Sequence, residues 1–475
     1  MVRCFIRRAF YRLAAQAAWR RLHGLSGERL GANAETAALR AFHRAARRVP
    51  AYGRLLARNG IDASKVQDIE AFRRLVPMTD KASVFSENEI ASLCVDGKAD
   101  DAACIYTSSG YSGTFSFGLE TQADIDRGRR TLDLLLQMYF HAASKPTLLV
   151  SGMPMGLQIP ASLPMKLDAG VRTDTILAVI RKLKPVCRQV IVAGEHPFLK
   201  KVLEDGVDAG MNWPEHRVSL LTGAEVVPES FRSYAGNILG QDPATPETGK
   251  IMITTGISEV GLVIGHETDG CRRLRMAAAG NQALWTALFG QTPFLPTCMQ
   301  YFPGDFYMET PDVNGQSTLV VTTLSPRRKL PLIRYCTGDW AKVLTHREVC
   351  QALEACGRED LRPPLELPML LLWGRGEHLT VAGRRIYPEQ IKEAIYSDPA
   401  VASATTANFR MTGDADQLSI FFQLKPNATS SDVRRKAFRT ALLTTSGLCM
   451  EPHLVPFAEF PGAMDLYYQR KFQYL

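Results

Sequence analysis

The sequence lacks any C-x-x-C pair. Its ten cysteines (Cys4, Cys94, Cys104, Cys187, Cys271, Cys298, Cys336, Cys350, Cys356 and Cys449) are scattered. That scatter excludes a zinc ribbon or a thioredoxin-like site and fits thiols kept reduced, so a cytoplasmic location is expected. His266 and Cys271 stand near one another in sequence, but two lone ligands make a weak metal site. No apolar run reaches about 18 residues, so no transmembrane segment is expected. There is no internal repeat, and Pro and Gly are near average, which excludes collagenous and low-complexity classes.

What is present is a globular composition, 46% hydrophobic and 22% charged over 475 residues, long enough for two or three domains. The net charge of +8 is modest for this length, and no nucleic-acid partner is expected. The charge is unevenly spread. Between Met1 and Arg58 there are many arginines but only Glu28 and Glu35 as acids. Such a segment reads as a solvated helical face docked on the main body, or as a surface that meets an acidic partner or anionic lipid. Arg20 and Arg21 interrupt its apolar stretch, so it does not read as a signal peptide.

Farther on, short apolar runs alternate with helical patterns. "PTLLVSG" (146–152), "RQVIVAG" (188–194), "RVSLLTGAE" (217–225) and "GKIMITTG" (249–256) predict strands, with helices over 176–185, 196–210 and 228–239 between them. The alternation predicts an α/β body with a mostly parallel sheet. "STLVVTTL" and "LPLIRYCTGDWAKV" predict an antiparallel pair. After the Pro-rich, charged stretch 357–368 come a helix over 388–396, strands over 401–410 and 417–424, and a helix over 430–443, the pattern of a small α+β domain. The expected division is a basic helical segment (1–34), a large body (35–373), a hinge (374–377) and a small C-terminal lid (378–475).

Four segments carry chemistry. In "SSGYSGT", the small polar residues Ser109, Gly110, Ser112, Gly113 and Thr114 can surround an anion with backbone N–H groups and hydroxyls. The run is neither a Walker A loop nor a nucleophile elbow. "TTGISEVG" (254–261) begins at the end of a predicted strand, where α/β sheets bind ligands, and Glu259 there is suited to Mg²⁺. "PLIRYCTGDW" places Asp339 at another strand end, where a carboxylate can accept both hydroxyls of a ribose. "WGRGEHLTVAGRRIYPEQIKEAI" sets Arg375 between two glycines, and Pro388 opens a helix at a favoured position.

Taken in order, these segments resemble the adenylate-forming ligase superfamily, in its phenylacetate–CoA ligase-like branch. "SSGYSGT" stands for the phosphate loop, "LLTGAE" for the adenine-contacting segment, "TTGISE" and "IRYCTGD" for two further motifs, and "GRGEHLTVAGRRIYPEQIKEAI" for the hinge and the start of the lid. The early "RVPAYGRLLARNGI" is also typical of that branch, and the resemblance runs from about residue 35 to the end. It implies adenylation of a carboxylic acid with ATP, followed by transfer to a thiol. By carry-over, the loop residues named above would hold phosphates, Gly223, Ala224 and Glu225 would line the adenine, and Asp339 and Arg375 would meet the ribose. Glu259 would hold Mg²⁺, Glu377 would sit at the hinge, and Lys471, the last lysine of the chain, would act at the α-phosphate. Thr114 and Phe115 replace the Lys-Pro of the family loop, Thr255 replaces an aromatic residue, and Glu377-His378 replace paired acids.

For the acid, the resemblance points to Met153, Pro154, Met155 and Gly156 and to Thr255, Gly256 and Gly261, a flat apolar slot suited to an aromatic acid such as a hydroxybenzoate. The acceptor is CoA, whose phosphates Arg384 and Arg385 could meet, or the phosphopantetheine of an acidic acyl carrier protein recruited by the basic N-terminus. Four alternatives stand beside this reading. They are a weakened relative that binds nucleotide or acyl groups without turnover, a peripheral membrane or partner-binding protein driven by the basic helix, an aliphatic substrate, and an amine or hydroxyl acceptor.

Overall fold

The computed structural model describes residues 2–108, 113–154, 157–223, 225–241, 249–413, 417–461, 468 and 471–475, with side chains from residue 6 onward. The chain opens with helices α1 (Val2–His23), α2 (Gly27–Arg48), α3 (Pro50–Arg58), α4 (Ile69–Leu75) and α5 (Ile90–Leu93). The hairpin of β1 (Ala102–Thr107) and β2 (Phe117–Thr121) leads into α6 (Gln122–Phe140). There follow β3 (Thr147–Ser151), β4 (Met165–Asp168), α7 (Thr173–Leu183), β5 (Gln189–Gly194), α8 (His196–Asp208), β6 (Val218–Thr222), α9 (Glu229–Leu239) and β7 (Ile251–Ile257). Next come β8 (Gly261–His266), α10 (Asp269–Ala279), α11 (Gln282–Phe289), β9 (Thr297–Gln300), β10 (Phe306–Glu309), β11 (Asp312–Val313), β12 (Gln316–Thr323), β13 (Tyr335–Leu344), α12 (His346–Ala355) and β14 (Met369–Gly374). The last hundred residues form β15 (Leu379–Val381), β16 (Arg384–Ile386), α13 (Pro388–Ser397), α14 (Pro399–Ala404), β17 (Thr405–Gly413), β18 (Leu418–Leu424), α15 (Asp432–Ser446) and β19 (His453–Val455).

Two compact units result, one of residues 1–139 and 254–375, the other of 140–253 and 376–475. The second division falls between Arg375 and Gly376, inside the stretch expected to hinge. Gly374 and Gly376 there have φ of +80° and +68°, a region in which a side chain would be strained.

In the first unit, β10, β12, β13, β14, β9, β8 and the second half of β7 pair antiparallel in that order. Helix α2 buries Leu30, Ala34, Ala38, Phe42 and Ala45, a stripe at helical spacing that faces the core. Ser26 caps it by accepting from the Arg29 N–H. The helix ends at Val49, which is extended because Pro50 follows and opens α3. The expected boundary at residue 34 therefore lies inside α2 rather than between elements.

The second unit has a parallel sheet in the order β4, β3, β5, β6 and the first half of β7, flanked by α7, α8 and α9. All six residues of β5 are buried, as a strand covered on both faces requires. Residues 376–475 share its hydrophobic core, with Val381, Ile391, Phe409 and Phe422 in one cluster with Ile176, Leu203 and Phe231. Ser230 at the start of α9 bonds Glu393 of α13 through both its N–H and its hydroxyl. Buried Lys200 on α8 donates to Glu204 and to the Thr405 carbonyl of β17. The strand expected over 401–410 begins only at Thr405. Asp398 caps α14 by accepting from Ala400 and Val401, and Pro399 at the first helical turn favours helix there.

Candidate active site

The β1–β2 hairpin carries the Ser/Gly loop. Ser109, Gly110 and Ser112 lie outside the described residues, but the mouth of the loop is closed by two bonds. The Ser108 N–H donates to the Ser116 carbonyl at 3.1 Å, and the Ser116 N–H donates to the Ser108 hydroxyl at 3.1 Å. Gly113 has φ of +79°, and the Thr114 hydroxyl lies 3.4 Å from that of Ser86.

Ser116, fully buried, aims its hydroxyl at Glu259 Oε2 at 2.9 Å. Glu259 sits in the turn between β7 and β8 and is only 6% exposed. Ser258 also donates to Oε2 at 2.9 Å, and the Tyr335 hydroxyl donates to Oε1 at 2.6 Å. Three hydroxyl donors hold a buried carboxylate in one orientation, since each lost bond would leave charge uncompensated. The backbone is fixed too, because Arg328 Nη2 donates to the Glu259 carbonyl. A Cβ on Gly118 would come within 2.2 Å of the Ser258 carbonyl, so β2 reaches this turn only through a glycine. Burial, and after it the neighbouring Glu259 carboxylate, push the Tyr335 phenol far above its ordinary value, which keeps it a donor.

On β13, Gly338 has φ of +78° and delivers Asp339, whose Oδ1 lies 3.2 Å from Arg375 Nε. Arg375 Nη1 also donates to the Thr337 carbonyl at 2.6 Å. In the first unit Glu259 is thus tied through Tyr335 to the strand that carries Asp339, the partner of Arg375, and through Ser116 to the hairpin that carries Gly113 and Thr114.

Ser116, Tyr335 and Lys81 were not among the residues expected from the sequence. Tyr335 was visible only as part of "IRYCTGD". Lys81 carried no signal at all. Thr79 donates its N–H to the Arg334 carbonyl and accepts from the Cys336 N–H at 2.7 Å, which lays Thr79 beside the start of β13. Lys81 lies where its charge acts on Glu259 and Arg375, and burial lowers its pKa.

Thr255 and Gly256 lie on β7, paired across a bulge with β8, and Gly261 opens β8 opposite Ile257. A Cβ on Gly256 would lie 2.3 Å from the Leu262 carbonyl, so the hairpin demands this glycine. His266 Nε2 faces the Tyr139 hydroxyl at 3.1 Å, and the Thr268 hydroxyl lies 3.2 Å from Cys271 Sγ. No group of three or more His, Cys, Asp and Glu side chains is placed to hold a metal among the described residues.

In the second unit, Gly223 and Glu225 follow β6, and Ala224 lies outside the described residues. Glu225 Oε2 lies 2.6 Å from Lys392 Nζ on α13, Oε1 lies 3.4 Å from His196 Nε2, and the Tyr474 hydroxyl approaches Oε2 at 3.5 Å. Burial acts to raise the Glu225 carboxyl, but Lys392 and His196 outweigh it and hold it well below the carboxylate range. Its side chain is thus engaged by residues of the C-terminal segment. Lys471 is exposed, and its charge acts on both Glu225 and Glu195, the residue after β5. Burial pushes the Glu195 carboxyl up to about 7. Met153 is half-buried after β3, while Met155 and Gly156 lie outside the described residues. Glu377 is exposed. Arg384 donates to the Ser446 and Gly447 carbonyls at the end of α15, and Arg385 is exposed.

No protein-family model matches the sequence, and no curated protein matches it. Solved structures do match. One is 2-hydroxyisobutyryl-CoA ligase in its postadenylation state with R3-HIB-AMP, at 15% identity over 92% of this chain and 88% of that one, with a TM-score of 0.65. The same ligase with 2-HIB-AMP in that state gives 15% identity, coverage of 91% and 87%, and a TM-score of 0.63. With 2-HIB-AMP and CoA in the thioesterification state the figures are 15%, 93%, 89% and 0.51. At such identity the similarity is one of fold. The chain has the fold of the adenylate-forming acyl-CoA ligases.

Proposed function

We propose that the protein is an AMP-forming ligase that activates a small carboxylic acid with ATP and passes the acyl group to a thiol. The observation that carries this reading is the hydroxyl cage of Glu259, because Ser116 of the hairpin loop and Tyr335 of the "TGD" strand meet on one carboxylate. Three segments far apart in sequence converge there, which a set of unrelated surface turns would not do.

In the first step, an oxygen of the substrate carboxylate attacks the α-phosphorus of ATP, and pyrophosphate leaves. Two anions must approach, so the site has to offset charge and fix orientation. Gly113 and Thr114 would offer backbone and hydroxyl donors to the terminal phosphates. Lys81 would supply the cation that the loop lacks, and Asp339, steadied by Arg375, would accept from the ribose hydroxyls. In the second step, a thiol sulfur attacks the acyl carbon, AMP leaves, and the thiol proton passes to solvent.

Mg²⁺ fits this arrangement in a restricted way. From the described residues Glu259 accepts two hydroxyl bonds on Oε2 and one on Oε1, which among those residues leaves one acceptor position on Oε1. One carboxylate oxygen is what a magnesium ion held mainly by phosphates and water needs from the protein. Bound there, it would neutralise phosphate charge.

CoA is the favoured acceptor, since one fold neighbour was solved with 2-HIB-AMP and CoA in the thioesterification state. A carrier protein remains the second acceptor to test. An aromatic acid is favoured by the resemblance of the sequence motifs, with an aliphatic acid as the alternative. ATP–pyrophosphate exchange across aromatic and aliphatic acids, with Mg²⁺ and no thiol, is the deciding experiment. Exchange that depends on one acid class supports the reading and names the class. Folded protein that binds ATP but exchanges with no acid would overturn it.

A further inference from the structure

We propose that helix α1 is a docking surface for an anionic lipid bilayer. The helix has two opposite faces. At about 100° per residue, Ile6, Phe10, Leu13 and Ala17 fall within an arc of about 60°, whereas Tyr11 and Ala15 lie on the far side. Tyr11 and Ala15 are buried at 7% and 5% exposure, and Leu22 packs against the cluster of Leu30, Leu365 and Leu367, so that side fastens α1 to its own unit. The other side faces solvent, with Ile6 59%, Phe10 60% and Leu13 66% exposed. Exposed apolar residues are ordinary when single. A row of three large ones at helical spacing, pointing away from the core, is not.

Charge selects the occupant. Arg7 and Arg21 lie to one side of the apolar row and Arg12 and Arg20 to the other, all exposed, and the first acid of the chain is Glu28. An anionic bilayer meets both properties at once. Its headgroups pair with guanidinium groups, whose stems can lie along the apolar layer, while Ile6, Phe10 and Leu13 enter the boundary beneath. An acidic protein surface would use the arginines and leave the apolar row unexplained. The arginines also keep the helix in the plane of the surface, and among the described residues no helix is long and apolar enough to cross a membrane.

The test is co-sedimentation of the full chain with vesicles, and it is independent of the ligase reaction. Vesicles of phosphatidylcholine alone are compared with vesicles carrying about 30% phosphatidylserine, at low and high salt. We expect binding to the anionic vesicles at low salt, weakened by high salt, and little binding to phosphatidylcholine alone. F10D/L13D should bind at least about tenfold more weakly at unchanged melting temperature, because both side chains are exposed. If that variant melts lower, Phe10→Ser replaces it. No binding by folded wild-type protein overturns the proposal. So does undiminished binding of the apolar variant, which would make α1 a general polycation suited to an acidic protein.

Discussion

The ammonium of Lys392 lies 2.6 Å from Oε2 of Glu225 and 4.3 Å from the centre of the Tyr474 ring. The pair is buried and joins the segment after β6 to α13. Burial lowers the Lys392 pKa, but Glu225 and Glu389 more than reverse that, so both partners stay charged. Lys392→Met should cost about 3–5 kcal/mol in urea unfolding, because it strands a buried carboxylate. Adding Glu225→Leu should recover most of that loss, since the pair itself is nearly neutral against a packed apolar pair. A single variant as stable as wild type would mean that water reaches Glu225.

Glu259 and Tyr335 should separate chemistry from stability. Glu259→Gln keeps shape and most hydrogen-bonding capacity but removes the charge, and we expect pyrophosphate exchange to fall at least a hundredfold with a small change in unfolding midpoint. Tyr335→Phe removes one bond to a buried carboxylate, with an expected loss of about 1.5–3 kcal/mol in stability and a smaller fall in exchange. Equal exchange in Glu259→Gln and wild type would remove Glu259 from the reaction.

Much of this arrangement was legible in the chain. Periodicity placed β3, β5, β6 and the helices α7, α8 and α9 to within a few residues, because their apolar runs are dictated by a sheet covered on both faces. The antiparallel β12–β13 pair followed from the two apolar runs "STLVVTTL" and "LPLIRYCTGDWAKV", although β13 begins only at Tyr335. The contacts of Glu259 were not legible. Ser116 and Tyr335 stand 143 and 76 residues from it, and long-range pairing leaves no local period. Lys81 was invisible for the same reason. It is placed by backbone bonds of Thr79 to β13, which depend on tertiary structure and not on residue type. The grouping of 376–475 with 140–253 was also hidden, since it rests on the long-range bonds of Ser230 to Glu393 and of Lys200 to Thr405.

Gly118→Ala is a test of how closely β2 approaches the Glu259 turn. An added methyl would meet the Ser258 carbonyl at 2.2 Å, so one backbone must move. Overpacking of this kind costs about 1–3 kcal/mol. We expect the fall in exchange to exceed what that loss of folded protein explains, because the displaced element carries Glu259. A fall no greater than the unfolded fraction would show that the turn yields without disturbing the carboxylate.

Lys471→Ala removes a charge that acts on Glu195 and Glu225, so its half-reactions are compared per folded protein after the melting temperature is measured. We expect it to suppress acid-dependent exchange while sparing thioester formation from a supplied acyl-adenylate. Equal loss in both half-reactions would place Lys471 elsewhere than at the α-phosphate.

The last prediction concerns pH. Burial lowers the His196 pKa from 6.5 to about 4, against the pull of Glu225, and Lys392 lowers it further. The unfolded chain therefore takes up a proton as pH falls through 6.5, whereas the native chain does so only near 4. The stability that neutral His196 allows is fully present above pH 6.5 and is lost progressively down to about pH 4, by up to about 3 kcal/mol. His266 in the other unit carries the same sign, and half-buried Glu195 the opposite one, favouring the fold below about pH 4.5 and losing that effect as pH rises toward 7. Comparison of wild type with His196→Gln cancels those shared contributions. The stability difference between the two should be largest above pH 6.5 and shrink toward pH 4 in urea titrations. Curves that stay parallel across that window would mean that His196 is already charged in the native state, paired with Glu225 as a second cation beside Lys392.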